Sequence, residues 1–259
     1  MNIFCSVLTY ELGKALGVVE ATAEFRRQID DPKAPDSLPA ARMVARLREL
    51  GNVMLYHGAG TCLAKARSRA AHAAHKWLAE QDDSQRAIWV MCDDDVECDQ
   101  RTLRALLAVA GHDRIAVLPC AVRGNDREQH TVNVVWESTL LLPLSPESVV
   151  ARPVLRGGCG VMVVPLGALR LMHERLKLAV DEEGAFQLDW WHDDDDDVKP
   201  ALFAQRFAPR SETDSRRTWL GEDYSFCELA RSAGVPIFAP VEGVSIHDGI
   251  GLDLKLCQR

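Results

Sequence analysis

The chain has 259 residues, 47% of them hydrophobic, and a formal net charge of −8 from 38 acids against 30 bases. That is enough apolar material for one substantial core, or for one core with a small appendage. The acidic balance lacks the sequence-independent attraction that drives binding to nucleic acid and disfavours such a partner, although a local basic groove is compatible with it.

Asn2 to Leu8 reads as a buried strand. Helical periodicity follows with interruptions to about Leu50, and DDPKAPDSLPAAR within it reads as a loop before a second helix. Asn52 to His57 is a second strand, and CLAKARSRAAHAAHKWLAEQ is a helix rich in alanine and other good helix formers. AIWVM is the third strand, DQRTLRALLAVA the next helix, and Ile115 to Cys120 a further strand. Strands alternating with helices at this spacing argue for a mostly parallel, doubly wound sheet. The second half differs. TVNVVWESTLLL and VLRGGCGVMVVP read as strands with no helix between them, and LGALRLMHERLKLA reads as a helix. A polar, acidic segment runs from about Asp181 to Val198. GEDYSFCELARSAG is a helix closed by Gly234, and VPIFAP and GVSIHDG are short extended pieces. No internal repeat and no Pro/Gly/Ser linker divides the chain, so a single domain over 1–259 is expected.

The eight cysteines are Cys5, Cys62, Cys92, Cys98, Cys120, Cys159, Cys227 and Cys257. They form no C-x-x-C pair and several sit in apolar runs, so a reducing, cytoplasmic setting is expected rather than a disulfide framework. MNIFCSVLTYELG lacks the charged and apolar regions of a signal peptide, and no apolar run of about 18 residues predicts a transmembrane helix. The short tail after Gly249 suggests a soluble, minimal enzyme.

The chemistry concentrates where AIWVM ends in Asp93, Asp94 and Asp95. In an open α/β sheet, ligands bind beyond the carboxyl ends of the strands. Three adjacent carboxylates repel, and a divalent cation such as Mg²⁺ or Mn²⁺ relieves the repulsion. If the segment is extended, Asp93 and Asp95 face one target and Asp94 points away. An acidic loop capping the next helix fits the same residues. Glu222 and Asp223 open a helix, where acids routinely oppose the dipole. His247 follows a short apolar strand; His72 and His75, at i, i+3 on the alanine-rich helix, read as structural. Gly157, Gly158 and Gly160 suit a tight turn or bulge, or a close backbone approach. The run Asp193 to Asp197 is either a solvated acidic stretch or part of a lid loop, with Trp190 and Trp191 beside it able to stack on a ring or cover the core.

Asp93 to Asp95 resembles the D-x-D motif of GT-A fold glycosyltransferases. AKARSRAAHAA (Ala64 to Ala74) resembles the "ARN" helix of the family-2-like branch, with Ser68 where Asn is commoner. RGGCGVMVVP resembles its Gly-x-Gly strand, LGEDYSFCELARSAG its ED helix, and GVSIHDG the terminal strand that supplies a metal-binding His. The pieces occur in the family's order and span about Asn2 to Gly249. The resemblance implies a GT-A (nucleotide-diphospho-sugar transferase) α/β fold: a Rossmann-like, mostly parallel sheet flanked by helices. Residues 1–120 would form the nucleotide-sugar half and residues 121–259 the acceptor-side half. It implies Mn²⁺ or Mg²⁺, held by Asp95 and His247, with Asp93 supporting the metal or touching the donor ribose. Thr9, Tyr10, Arg67, Asp94, Gly158 and Gly160 would line a UDP- or GDP-sugar donor, with Arg69 close to Arg67 on the same helix. Asp223 would be the general base of an inverting transfer, and Glu222 would orient the loop or bind acceptor. The acceptor is left open among a glycan, a lipid-linked sugar, a protein, a small molecule and a modified nucleobase.

A haloacid-dehalogenase-like phosphohydrolase also carries Asp-x-Asp after an apolar strand. There the motif ends the first strand and has Thr or Val where this chain has Glu97. A receiver domain is much shorter, and a nucleotidyltransferase needs a glycine-rich basic loop that TYELGKALG does not supply. A non-catalytic sugar-nucleotide binding protein is the reading from another class, opposed by the presence of Asp93, Asp95, Asp223 and His247.

Overall fold

The computed structural model describes residues 1–9, 18–34, 37–59, 63–81, 86–122, 131–144, 149–182, 190–192, 198–200, 202–209, 217–247 and 249–258. Six helices are described: α1 (Val18–Asp30), α2 (Pro39–Arg48), α3 (Leu63–Ala79), α4 (Gln100–Val109), α5 (Leu166–Glu182) and α6 (Glu222–Ser232). The early strands are β1 (Asn2–Thr9), β2 (Asn52–Ala59), β3 (Ala87–Asp93), β4 (Val96–Cys98) and β5 (Ile115–Val117). They are followed by β6 (Ala121–Val122), β7 (Thr131–Val132), β8 (Val134–Trp136), β9 (Leu142–Leu144), β10 (Val149–Gly157) and β11 (Val161–Pro165). The remainder are β12 (Trp190–His192), β13 (Val198–Pro200), β14 (Arg206–Pro209), β15 (Arg217–Leu220), β16 (Ile237–Pro240), β17 (Val244–His247) and β18 (Ile250–Asp253). A 3₁₀ turn, Leu254–Gln258, follows.

Local chemistry explains several boundaries. Asp99 caps α4, its carboxylate accepting the Thr102 N–H at 2.7 Å. Pro39 opens α2, where its fixed φ suits the first turn and its missing N–H costs nothing. Gly234 stops α6 in the left-handed region at φ 74°.

A nine-stranded sheet is ordered β2-β1-β3-β11-β5-β16-β10-β8, with β9 also on β10. β2, β1 and β3 are parallel, as are β5 and β16. β11 runs against both β3 and β5, and β10 runs against β16, β8 and β9. Seven of the nine strands therefore point one way, and β10 and β11 are the two inverted ones. The outcome is a mixed α/β sheet, mostly parallel in direction and flanked by helices. Strands from both halves of the chain interleave in it, because β11 inserts between β3 and β5.

The pleat sorts side chains to two cores. Ile88, Val90 and Cys92 join Ile3, Cys5 and Val7 under α1, α2 and α4. Ala87, Trp89 and Met91 join Phe4 under α3, α5 and α6. Both faces of β1 and β3 are covered, which is why these strands read as continuous apolar runs. Trp89 keeps its indole N–H satisfied by donating to Ser6 Oγ at 2.8 Å. All seven described cysteines are free and buried. Among the described residues no helix is long and apolar enough to cross a membrane.

A smaller sheet, β18-β17-β4, sits beyond the end of β3. Its register sets His247 opposite Val96, one residue after Asp95. The Ser245 hydroxyl donates to the Pro119 carbonyl at 2.6 Å and ties β17 to the segment after β5.

The core under α6 is pinned by Phe203 and Phe226, both fully buried, with parallel rings 4.5 Å apart at the centroids. Phe226→Ala is expected to lower unfolding stability by about 3–5 kcal/mol, read from the urea midpoint.

Candidate active site

β3 ends at Asp93, and the chain turns through Asp94 and Asp95 before β4. The turn replaces the extended geometry expected of the three aspartates, so Asp93 and Asp95 reach for different partners. Asp93 faces Arg67, and Asp95 faces His247. Asp94 is buried, and its carbonyl accepts the Ala40 N–H at the start of α2. The Asp93 N–H donates to the Gly160 carbonyl at 2.9 Å, fastening the carboxylate turn to the glycine turn between β10 and β11.

Arg67 is the centre of the assembly. Its residue surface is only 3% exposed. Nη2 donates to both Asp93 oxygens at 2.8 and 2.9 Å, and Nη1 donates to Glu222 Oε1 at 2.6 Å. The residue differs from the expected donor-facing arginine: its fork is spent on two carboxylates of the protein itself. A signal for this was present in the sequence. Arg67 precedes Ala70, Ala71, Ala74 and Leu78 at helical spacing, so it shares the packed face of α3. Burial alone would push the Arg67 pKa down, but Asp93, Cys159, Glu222 and Asp223 outweigh it and hold the value above the ordinary one.

Burial raises the pKa of Asp93; Arg67 offsets part of this, while Asp95 and Asp223 add to it. Asp223 is raised in the same way, chiefly by burial, with Arg67 opposing and Glu222 reinforcing. Its carboxylate also accepts backbone N–H groups from Tyr224, at 2.8 Å, and from Cys159. The Cys159 contact links the glycine turn to the start of α6. Four separate segments thus meet: α3, the end of β3, the turn at 158–160 and the first turn of α6.

His247 Nδ1 lies 2.6 Å from the Ala121 carbonyl, and Nε2 lies 3.3 Å from Asp95 Oδ2. A carbonyl only accepts, so Nδ1 carries the proton in that bond. In a neutral ring the Nε2 lone pair would face a carboxylate oxygen, two acceptors across 3.3 Å, whereas in a protonated ring the same contact is an ion pair. A proton or a cation between them relieves the clash. Carboxylate oxygen plus imidazole nitrogen with a carbonyl-anchored second nitrogen is a donor set that suits a divalent ion. Among the described residues no group of three or more His, Cys, Asp or Glu gathers as a metal cage. An ion here would take the remainder of its shell from ligand and water, as Mg²⁺ commonly does.

The glycines are explained by packing, as none of the three has a positive φ. A Cβ at Gly157 would meet Val117 at 2.9 Å and one at Gly158 would meet Asn133 at 2.8 Å. At Gly160 it would lie 3.1 Å from Val96. Asn133 was not foreseen: its carbonyl accepts the Gly158 N–H at 2.8 Å and its side chain accepts the Cys120 N–H at 2.8 Å. Thr9 is fully buried, and its hydroxyl bonds His57 Nε2 at 2.8 Å instead of opening to a nucleobase. Thr22 bonds the other ring nitrogen at 3.1 Å. Glu97 is a second unforeseen anchor, held by Arg42 at 2.6 Å and Arg46 at 2.8 Å from α2. Burial would raise its pKa, but the two arginines outweigh this and lower it. His75 stacks on His173 between α3 and α5, 4.0 Å between centroids, in the structural role expected for it. Tyr10 and Asp193 to Asp197 lie outside the described residues, as do the side chains of Trp190 and Trp191.

No protein-family model matches the chain, and no curated protein matches it. A crystal structure of A197 from STIV is similar with a TM-score of 0.45 and 10% identity, covering 98% of this chain and 91% of that one. A likeness of that size carries no argument about function.

Replacing Arg67 leaves Asp93 and Glu222 half-buried without their partner. Because both carboxylates keep some contact with solvent, the low end of the usual range applies, and Arg67→Met is expected to cost about 3 kcal/mol in urea unfolding. Arg67→Lys is expected to recover only part of this, since one ammonium does not span both carboxylates as the planar fork does. The second prediction concerns pH. Burial, with Arg26 nearby, pushes the His57 pKa from 6.5 down to about 4. Between those values the unfolded chain binds the proton that the folded one refuses. The His57 contribution is therefore fully present above about pH 6.5 and is lost as pH falls towards 4. Urea midpoints at pH 7.5, 6 and 5 should fall less steeply in His57→Gln than in the natural chain.

Proposed function

We propose that the protein is a metal-dependent glycosyltransferase of GT-A type, moving a sugar from a nucleotide diphosphate to an acceptor hydroxyl with inversion. The observation that carries the reading is the pairing of Asp95 Oδ2 with His247 Nε2 at 3.3 Å, at the ligand edge of the sheet and beside Asp93, Glu222 and Asp223. Asp95 and His247 hold Mn²⁺ or Mg²⁺. When bound, the ion supplies positive charge against the departing nucleoside diphosphate.

The chain's own residues do the remainder. The Ala121 carbonyl fixes the His247 ring so that Nε2 is turned towards Asp95. Arg67 holds Asp93 and Glu222 in one fixed relation, so the donor side and the acceptor side of the site keep register. Asp223, seated by the Tyr224 and Cys159 N–H groups, takes the proton of the acceptor hydroxyl. Its raised pKa makes it a stronger base than a solvated aspartate, which suits that task. Attack from the face opposite the leaving diphosphate gives inversion. UDP- or GDP-sugars are the donors, with Tyr10 as a nucleobase contact.

The test is a panel of UDP-, GDP-, CMP-, dTDP- and ADP-sugars with and without Mn²⁺, reading thermal shift and nucleotide release together. One nucleotide class is expected to stabilise the protein only with metal, and Asp95→Ala is expected to abolish that shift. Asp223→Asn is expected to keep the shift and lose about 10²–10⁴-fold in turnover. Silence towards every nucleotide sugar, with turnover of a phosphomonoester, would sink the reading in favour of a phosphohydrolase.

A further inference from the structure

A cavity of about 1080 Å³ opens at the edge of the sheet opposite the candidate active site. It lies where β1 and β3 begin, at Met1 and Ala87, and where β11 ends at Pro165. Ala87 and Asp93 are the two ends of β3, about 20 Å apart at the strand rise, so the two sites do not overlap.

The cavity's charge is opposite to that of the chain. Within a protein of net charge −8, its lining carries Arg86, Arg104, Arg114, Arg170 and His112 against one acid, Glu174. Arg86 is partly committed, donating to the Leu107 carbonyl. Arg104 and Arg114 make no ion pair among the described residues, and Arg114 Nε is buried without an acceptor. The first turn of α5 adds to the field. Leu166 and Gly167 line the cavity and that turn contains no acid, so the unpaired N–H groups and the positive end of the dipole have no counter-charge of their own. Two glycines keep the basic groups in place. A Cβ at Gly111 would lie 2.5 Å from Arg114 Nη2, and one at Gly167 would lie 2.7 Å from His112 Cε1. Leu50, Leu107, Ala108 and Leu171 supply apolar wall.

We propose that this cavity is a second binding site, for a small molecule that carries phosphate on an apolar body. Guanidinium forks and a helix N-terminus both match phosphate oxygens. The volume is that of a ligand pocket and far exceeds a single inorganic ion, which leaves the apolar wall for the remainder of the molecule.

Inorganic pyrophosphate is the probe, titrated into the full chain at low salt with EDTA present. Metal and nucleotide sugar are absent, so the outcome is independent of the proposed transfer reaction. Calorimetry is expected to give saturable one-to-one binding, with amide NMR shifts at Gly111, Arg114 and Gly167 and none at Asp93 to Asp95. Arg104 is exposed on α4, so Arg104→Ala tests charge without risk to the fold; it is expected to weaken binding at least tenfold, and Arg114→Gln likewise, while Asp95→Ala leaves binding unchanged. No saturable binding, or binding lost in Asp95→Ala and kept in Arg104→Ala, would overturn the proposal. Tighter binding to phosphatidic acid vesicles than to pyrophosphate would overturn the assignment to a small molecule.

Discussion

A guanidinium cannot be taken out of water alone, and that constraint organises this molecule. Moving the Arg67 charge into the interior costs several kcal/mol, and only carboxylates in good geometry offset it. Asp93 comes from the end of β3 and Glu222 from the first turn of α6, so satisfying one side chain on α3 aligns three elements. The Gly160 and Cys159 backbone groups then lock the glycine turn onto the same centre. Asp95 and His247 depend on it indirectly, through the turn that follows Asp93 and the short ladder between β4 and β17.

The local charge does not balance. Asp93, Glu222 and Asp223 crowd around one arginine, and burial, reinforced by Asp95 and Glu222, raises the pKa values of Asp93 and Asp223. An unliganded arrangement of this kind holds an excess of negative charge at the mouth of the sheet. The opposite edge holds an excess of positive charge around Arg104 and Arg114. β1, β3 and β11 between them are uncharged up to Asp93: β3 is apolar from Ala87 to Cys92. The sheet thus works as an insulating spacer between two poles of opposite sign.

The long periodic elements were legible in the sequence because their signals are local. The first strand was expected over Asn2 to Leu8 and occupies Asn2–Thr9; the stop at Gly234 needed only its backbone preference. The nearness of Asp95 to His247 follows the pairing that the resemblance implied, whereas the tie of Asp93 to Glu222 through Arg67 had no counterpart in the sequence reading. What was not legible was which atom meets which. The Asp94–Asp95 turn, the use of Arg67 as an internal tie, and the Thr9–His57 bond all depend on contacts between distant segments, for which a single chain carries no local mark. Glu97 shows the same limit. It marked a departure from a phosphohydrolase pattern in the sequence, but its grip on Arg42 and Arg46 became visible only when α2 was laid beside β4.

The inverted strand β11 has a consequence for how the chain is made. Among the described residues β5 has only β11 and β16 as sheet neighbours, and both are encoded well after it. As the chain leaves a ribosome, β1, β2 and β3 can pair at once, whereas β5 must wait for two later segments. A nascent chain ending near residue 120 therefore carries one open edge on β3 and one strand with nothing to join. Such unpaired edges invite association with other chains, and their closure over a long loop is slow. Translation pauses or truncations in that interval expose the molecule to misassembly more than pauses at either end.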